Sequence, residues 1–178
     1  IVYEAQQSAP SRRAAIKILR SGYFCAPIDV QRFLHESESL AQPEHPGIVR
    51  VYASGTMPTK LGDVPWFAME FIDGVSLTDW CKTVTSVAEK VRMLCQICDA
   101  VGHAHNRNVV HRDLKPANVL IVPPSDQSTN KHQVRIVDFG ISRVVGQTTD
   151  ERSFTRTGSI IGTSDYRSPE QCDGGEIT

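Results

Sequence analysis

Alternation of apolar and polar residues predicts strands in the first part of the chain. Residues 13–19 alternate, so that Ala15 and Lys17 share one face of a strand while two isoleucines take the other. Residues 66–72 form a short apolar run with aromatic side chains, bounded by a proline and an Asp-Gly pair. Such a run, bounded by turn residues, predicts a buried strand.

Apolar residues at helical spacing predict two helices. In residues 87–105 they recur at intervals of four and three, which predicts a long buried helix with Cys98 in its core. This stripe consists of Val87, Val91, Leu94, Cys98 and Val101. Residues 29–41 predict a second helix, in which Glu36 shares a face with Phe33 and Leu40. Burying an unpaired carboxylate is costly, so Lys17 is the expected partner of Glu36.

Short strands and turns fill the region after the long helix. Residues 119–122 and 134–137 predict two strands, separated by a polar surface insertion. Asn108 lies three residues after the predicted end of the long helix, and asparagine tolerates the left-handed conformation in which helices often end. We therefore expect the chain to turn left-handed at this residue.

Composition indicates a globular domain and excludes several other classes of protein. The 178 residues are 40% hydrophobic and 22% charged, and a net charge of −1 leaves no basic excess for nucleic acid. No apolar run approaches the roughly 18 residues of a membrane-spanning helix, and no secretory signal is evident. The five cysteines are irregularly spaced and predict no disulfide framework, so a cytoplasmic location is expected.

The most specific chemical pattern is the loop at residues 111–118, with the sequence His-Arg-Asp-Leu-Lys-Pro-Ala-Asn. Asp113 can accept a proton from an attacking hydroxyl, and Lys115 can reach a transferring phosphate as a point charge. Asn118 and Asp138, which opens the sequence Asp-Phe-Gly, offer the oxygen ligands that Mg²⁺ favours. Together these groups predict phosphoryl transfer from a nucleotide.

These segments resemble the catalytic and metal-binding loops of eukaryotic-type (Hanks-type) serine/threonine protein kinases. The strand that carries Lys17 resembles the kinase strand with the nucleotide-positioning lysine, and Glu36 resembles its ion-pair partner. Lys115 favours serine or threonine as the acceptor, because tyrosine kinases usually lack a lysine there. The runs at residues 162–163 and 168–171 resemble bacterial members of the family.

The resemblance implies an α+β, bilobal fold. Residues 1–73 would form a strand-rich N-lobe, and residues 74–178 would begin a mainly helical C-lobe. Residues 1–5 resemble the strand just after the kinase glycine-rich loop, and residues 168–170 resemble the Ala-Pro-Glu motif. We therefore expect a catalytic domain truncated at both ends, without the glycine-rich loop and the later helices, and inactive as this fragment alone.

The resemblance also implies ATP and Mg²⁺ as cofactors and assigns residues to each role. Catalytic roles fall to Asp113, Lys115, Asn118, Lys17 and Glu36. Nucleotide-binding roles fall to Val2, Ala15, Lys17, Met69 as gatekeeper, the backbone of Glu70 and Ile72, Leu120 and Asp138. The metal ligands would be Asn118 and Asp138.

Regulation and partners follow from the same resemblance. Basic residues at Arg32, Arg112 and Arg143 are expected to converge on a phosphate in the activation segment. The expected phosphorylation sites are Thr155, Thr157 and Ser159, with the two threonines ahead of the serine. Expected partners are ATP, proteins with serine or threonine hydroxyls, and a second copy of the protein during autophosphorylation. No nucleic acid is expected, and the full-length parent is compatible with a membrane anchor outside this fragment.

Two alternative functions stay open at this point. A pseudokinase would keep the fold as a binding scaffold without turnover, although Lys17, Glu36, Asp113, Asn118 and Asp138 are all intact. A small-molecule phosphotransferase would share the fold. The hydroxyl-rich segment before Pro169 and Glu170 counts against it, because in protein kinases this segment forms a peptide-docking surface.

Overall fold

The first part of the chain folds into a four-stranded antiparallel sheet. The computed structural model describes residues 1–18, 45–59, 62–124 and 131–139, together with positions 166 and 169. The strands are β1 (Val2–Ser8), β2 (Ser11–Ile18), β3 (Val51–Thr59) and β4 (Gly62–Glu70), in the spatial order β1-β2-β4-β3. The strand predicted from alternation at residues 13–19 and the strand predicted from the apolar run at residues 66–72 are both confirmed. Each one begins and ends earlier in the sequence than predicted.

The register of β2 between its two neighbours decides which side chains meet. Ala15 lies opposite Met69 on β4, and Lys17 lies opposite Phe67. On the other edge of β2, Val2 of β1 lies opposite Lys17. Because side chains alternate between the faces of a strand, this register gathers the lysine and small or apolar residues at one end of the sheet.

Between residues 74 and 139, the described part of the chain contains two helices and a small antiparallel sheet. The helices are α1 (Leu77–Thr83) and α2 (Val87–His105), and the strands are β5 (Val75–Ser76), β6 (Val119–Val122) and β7 (Gln133–Ile136) in the order β5-β6-β7. A single 3₁₀ turn, Pro116–Asn118, precedes β6. The bounds predicted for α2 are confirmed, and so are the two predicted strands. No helix among the described residues has the length and apolar character needed to span a membrane.

Local hydrogen bonds explain where these helices begin and how α2 ends. The side-chain oxygens of Ser76 and Ser86 accept the backbone N–H groups of the third residue beyond, as helix N-caps do. After α2, Asn108 has a φ of 59°, so the predicted left-handed turn is confirmed. Asparagine adopts this conformation more readily than most residues.

Residues 47–50 join the two sheets through their backbone. The Ile136 N–H donates to the Gly47 carbonyl at 2.8 Å, and the Val49 N–H donates to the Ile136 carbonyl at 3.0 Å. The Arg50 carbonyl in turn accepts the Glu70 N–H of β4 at 2.9 Å. One continuous apolar core therefore runs between the sheets, with Ile48, Phe67, Val119, Ile121, Val134 and Ile136 among its buried residues.

The buried face of α2 differs from the predicted one. Val87, Val91 and Leu94 are 73%, 52% and 58% exposed, and Cys98 is also exposed, so its predicted place in a helix core is wrong. A neighbouring stripe is buried instead, and it consists of Met93, Ala100 and Ala104 with the half-buried Ile97. Of the predicted stripe, Val101 is half-buried and packs against the same core. The helix therefore carries two apolar stripes, and spacing alone did not distinguish between them.

Side-chain size explains which part of α2 meets residues 45–48. Ala100 is fully buried and lies so close to residue 47 that a Cβ added to Gly47 would come within 2.9 Å of the Ala100 Cβ. The backbone of residues 45–48 can approach the helix only where both partners are small. The larger residues of the predicted stripe, such as Leu94, would hold the segment farther away.

We predict that Gly47→Ala destabilises the protein by about 1–3 kcal/mol, because the added methyl group overpacks the contact with Ala100. Gly102→Ala provides the matched control, since a Cβ at Gly102 meets nothing within 4 Å. A glycine inside a helix costs about 0.5–1 kcal/mol relative to alanine, so this control should be neutral or stabilising. Urea unfolding of both variants checks the prediction, and equal stabilities would contradict it.

Candidate active site

The loop before β6 holds Asp113 in place through three neighbours. The Asp113 N–H donates to the His111 carbonyl at 2.8 Å. Its Oδ2 accepts a hydrogen bond from Lys115 Nζ at 2.8 Å and from Asn118 Nδ2 at 3.1 Å. Asn118 Nδ2 also donates to the Asp113 carbonyl at 2.8 Å. The structure therefore brings together the three predicted catalytic residues of this loop, with the Asp113 side chain 42% exposed.

A second carboxylate, Asp138, lies two residues after the end of β7. Lys17 Nζ of β2 is 2.6 Å from Asp138 Oδ2, and both side chains are about four-fifths buried, at 21% and 23% exposed. Asp138 has a φ of 63°, a left-handed conformation that aspartate tolerates better than most residues. The predicted nucleotide-positioning lysine on β2 thus meets the predicted metal ligand that follows β7.

His111 and Val137 connect the two polar loops. His111 is 2% exposed and its Nδ1 accepts the Asp113 N–H at 3.3 Å, so its Nε2 carries the proton and donates to the Val137 carbonyl at 3.0 Å. The Val137 N–H donates to the Asn118 carbonyl at 2.9 Å. The Phe139 ring packs against the imidazole with 4.5 Å between centroids. These contacts fix Asp113 and Asp138 relative to each other.

Burial keeps His111 neutral near pH 7. Desolvation is the main cause that lowers the pKa of His111 below its usual value, because a charged imidazolium would be held away from water. The hydrogen bond to the Val137 carbonyl and the charges of Asp113 and Asp138 act in the opposite direction without reversing the shift. The neutral ring can therefore accept and donate one hydrogen bond each, as the geometry requires.

The free oxygens at the site fit a divalent cation. Asp138 Oδ1 is buried and has no hydrogen-bond partner, which is costly for a carboxylate oxygen unless a ligand satisfies it. The Asn118 side chain uses its Nδ2 to bond to Asp113, which leaves its side-chain oxygen, Oδ1, for a ligand. Within the described ranges, no three acidic, histidine or cysteine residues form a metal cluster. The donor set therefore suits a hard cation that keeps some positions for phosphate and water.

The residues predicted for the adenine pocket lie around the strand pair β2–β4. Ala15 and Met69 are both buried, each 7% exposed, and they lie opposite each other on the neighbouring strands β2 and β4. The Glu70 N–H is used by the Arg50 carbonyl, so it is not available to a ligand. Val2 lies at the exposed start of β1, and Leu120 is half-buried on β6. Ile72 is half-buried just after β4.

Several predicted residues lie outside the described part of the chain. These are the ion-pair partner Glu36, the basic residues Arg32 and Arg143, and the phosphorylation sites Thr155, Thr157 and Ser159. Of the expected phosphate-binding arginines, Arg112 is described. It has a φ of 63° and lies half-buried directly before Asp113. The roles expected for all of these residues stay predictions.

Arg13 is a residue that the sequence reasoning missed. Its guanidinium lies 3.9 Å from the centroid of the Phe71 ring and forms ion pairs with Glu4 at 2.9 Å and Asp73 at 3.7 Å. It therefore connects β1 with the segment after β4 that was predicted to contact adenine. The sequence could have indicated this residue, because Arg13 lies two residues before Ala15 and therefore on the same face of β2 as Ala15 and Lys17.

Comparisons with known proteins agree with this geometry. The sequence profile of the family described as "Protein kinase domain" matches residues 1–178. The chain is 35% identical over 175 residues to the serine/threonine-protein kinase PknB of Mycolicibacterium smegmatis, covering 97% of this chain and 27% of that protein. It is 35% identical over 179 residues to the serine/threonine-protein kinase PrkC of Bacillus subtilis, covering 99% and 25%. The chain thus spans about a quarter of the length of these curated relatives.

Solved structures give the same fold. The crystal structure of a variant PknI kinase domain from Mycobacterium tuberculosis superposes with a TM-score of 0.70 and 25% sequence identity. The match covers 99% of this chain and 61% of that one. The strand-rich sheet and the helices that follow it are therefore the two parts of a bilobal architecture, as predicted.

We predict that His111 makes stability depend on pH. The pKa of His111 is lower in the folded protein than in the unfolded chain, so the unfolded chain takes up the proton at a higher pH. The free energy of unfolding is therefore unaffected by this group above about pH 6.5, the usual pKa, and falls as the pH decreases below it. The loss should approach about 1.4 kcal/mol per pH unit until the folded pKa is reached. Urea unfolding from about pH 8 to about pH 5 should show a shallower dependence for His111→Gln than for wild type. The control His105→Gln replaces an exposed histidine at the end of α2 and should reproduce the wild-type slope. Identical slopes in all three proteins would contradict the prediction.

Proposed function

The chain belongs to the protein kinase domain family, and on this premise we propose that the full-length protein transfers the γ-phosphate of ATP to serine and threonine hydroxyls of proteins. The observation that carries the proposal is the convergence of Asp113, Asn118 and Asp138 within one hydrogen-bonded arrangement. Phosphoryl transfer depends mainly on positioning and charge neutralisation, and this arrangement supplies both.

Asp113 is the residue proposed to receive the proton of the attacking hydroxyl. Its Oδ2 is occupied by Lys115 and Asn118, so its Oδ1 is the atom that faces an incoming substrate. The carboxylate is held rigidly but remains 42% exposed, which allows a substrate hydroxyl to reach it. Lys115 lies beside the same carboxylate and can contact the phosphate as it moves to the acceptor.

Asn118 and Asp138 are the proposed ligands of Mg²⁺. When bound, the cation neutralises charge on the phosphates of ATP. The unpartnered Asp138 Oδ1 supports this role, and the largely buried Lys17 beside Oδ2 supplies a positive charge for the phosphates at the same point. The apolar residues Ala15 and Met69 lie opposite each other on β2 and β4, two residues along the strands from the pair of Lys17 and Phe67, and they suit the adenine ring. Val2 and Leu120 are proposed to complete the pocket. The Glu70 carbonyl and the backbone of Ile72 are proposed to lie at the adenine edge, since the Glu70 N–H already bonds to the Arg50 carbonyl.

The division into lobes and the cellular location are also part of the proposal. We place the N-lobe at residues 1–73 and the start of the C-lobe at residues 74–178, because β4 ends just before this boundary and α1 begins just after it. A cytoplasmic location for this part of the protein is supported by the free thiols of Cys81, Cys95 and Cys98.

Regulation by phosphorylation is the remaining part of the proposal. Arg112 lies directly before Asp113, and Arg32 and Arg143 are expected to join it around a phosphate on the segment with Thr155 and Thr157. A phosphate of about −2 charge would relieve the repulsion between such cations and order the segment, so that Glu36 meets Lys17. Ser159 is the third proposed site. Autophosphorylation would require a second copy of the protein as transient partner.

Replacing the two carboxylates tests the proposed chemistry. Asp113→Asn and Asp138→Asn in the full-length protein should each lower phosphate transfer from labelled ATP to a generic protein substrate by about 10²–10⁴-fold. Asp79→Asn, which changes an exposed carboxylate on α1, is the control and should retain transfer. Undiminished transfer in either site variant would contradict the assigned roles. A wild-type protein that binds ATP without transfer would favour the pseudokinase alternative.

The combined change Thr155→Ala and Thr157→Ala tests the proposed switch. Wild-type activity should rise after preincubation with ATP, because the added phosphates order the segment. The double variant should lack this rise and have at least about tenfold lower activity, as coupling of about 1.4 kcal/mol would give. Ser153→Ala, in the same segment, is the control. An unchanged rise in the double variant would place the switch elsewhere.

A further inference from the structure

A basic cavity lies on the face of the first sheet opposite the candidate active site. It has a volume of about 520 Å³, and its charged lining consists of Arg12, Arg50, Arg135 and Glu70, next to Tyr52 and His45. Arg12 adjoins Arg13 on β2, and because side chains alternate along a strand, it points away from the face of Lys17. Glu70 follows Met69 on β4, so its side chain lies on the face of the sheet opposite to Met69. We call this the rear cavity, and none of the roles assigned above uses its side chains.

Neutral partners hold the first of these arginines in place. Arg12 Nε donates to Gln7 Oε1 at 2.6 Å, and its guanidinium lies 3.4 Å from the centroid of the Tyr52 ring. The Gln7 amide nitrogen is itself held by the Ala9 carbonyl at 2.9 Å. A hydrogen-bonded amide and an aromatic face orient the guanidinium without cancelling its charge. Arg12 is therefore a fixed cation that still attracts an anion.

Arg135 is held in a similar way from the opposite wall. It extends from β7 and donates through Nη1 to the Pro46 carbonyl, while its Nη2 lies 3.9 Å from Glu70 Oε1. That distance is long for a direct charge-assisted hydrogen bond, so Glu70 compensates the cavity only in part. Leaving Arg50 aside, the lining carries two arginines, Arg12 and Arg135, against this one carboxylate.

We propose that the rear cavity binds a phosphate monoester, specifically the phosphorylated side chain of a serine or threonine in a protein segment. Guanidinium groups match the geometry of phosphate oxygens, and fixed ones lose little entropy on binding. The volume falls within the roughly 300–1,000 Å³ typical of ligand pockets and far exceeds what a single phosphate ion fills. Pro46, Ile48 and Tyr52 provide apolar walls for residues that flank the phosphate.

This ligand is the product class of a serine/threonine kinase, and that link rests on the proposed function. Binding to the rear cavity does not require transfer, since the cavity and the carboxylates Asp113 and Asp138 lie on different faces. The test therefore uses the full-length protein carrying Asp113→Asn, which removes the proposed base and leaves the rear cavity intact. Failure of binding and failure of phosphoryl transfer are then separate results.

The experiment measures binding of a labelled, otherwise neutral peptide with one central phosphoserine, its unphosphorylated form, and inorganic phosphate as competitor. The phosphopeptide should bind at least about tenfold more tightly than either, a difference of about 1.4 kcal/mol. No preference for the phosphorylated peptide would overturn the proposal. Equal affinity for inorganic phosphate would overturn its assignment to a phosphorylated side chain.

Variants locate the binding site. Arg12→Gln should weaken phosphopeptide binding by about tenfold, and Arg13→Gln, which removes the same charge from the other face of β2, should leave it within about twofold. Glu70→Gln removes the competing carboxylate and should tighten binding by about threefold, a gain that misfolding cannot produce. Equal losses in the two arginine variants, or no gain with Glu70→Gln, would overturn the location.

Discussion

The two peptide groups that flank Val137 hold the chemistry of this protein together. The Val137 N–H donates to the Asn118 backbone carbonyl, and the Val137 carbonyl accepts a hydrogen bond from His111 Nε2. Because Asn118 and His111 also fix Asp113, one stretch of backbone sets the distance between the proposed base and the proposed metal ligand at Asp138. Without these bonds, the two polar loops would each have to find their conformation independently, at a considerable cost in entropy.

Each carboxylate of the candidate active site forms an ion pair with a lysine. Lys17 is paired with Asp138, and Lys115 is paired with Asp113, so each carboxylate has a cation within 3 Å. Two half-buried ion pairs satisfy charges that would be costly to leave alone. The arrangement also means that an incoming polyphosphate must share Lys17 with Asp138, while a divalent cation would take over the compensation of the carboxylate.

Much of this arrangement follows from the sequence, and the exceptions have physical causes. The alternation around Lys17, the bounds of α2 and the left-handed Asn108 depend on local preferences, so local patterns predicted them. The buried face of α2 depends on how closely Gly47 can approach Ala100, a contact between residues far apart in the chain. The same is true of the contact between Lys17 and Asp138. The expected partner Glu36 lies outside the described residues, so that pairing stays a prediction.

The left-handed backbone at Asp138 has a consequence for how mutations at this position are interpreted. Its φ of 63° is accessible to aspartate and asparagine but strained for most other side chains. An alanine here would therefore combine the loss of a carboxylate with a backbone that prefers to relax toward another conformation, which would displace Phe139 from the His111 ring. Asparagine keeps the backbone preference and isolates the effect of charge. The backbone conformation alone therefore favours aspartate, asparagine or glycine at position 138, independently of any role in binding a metal ion.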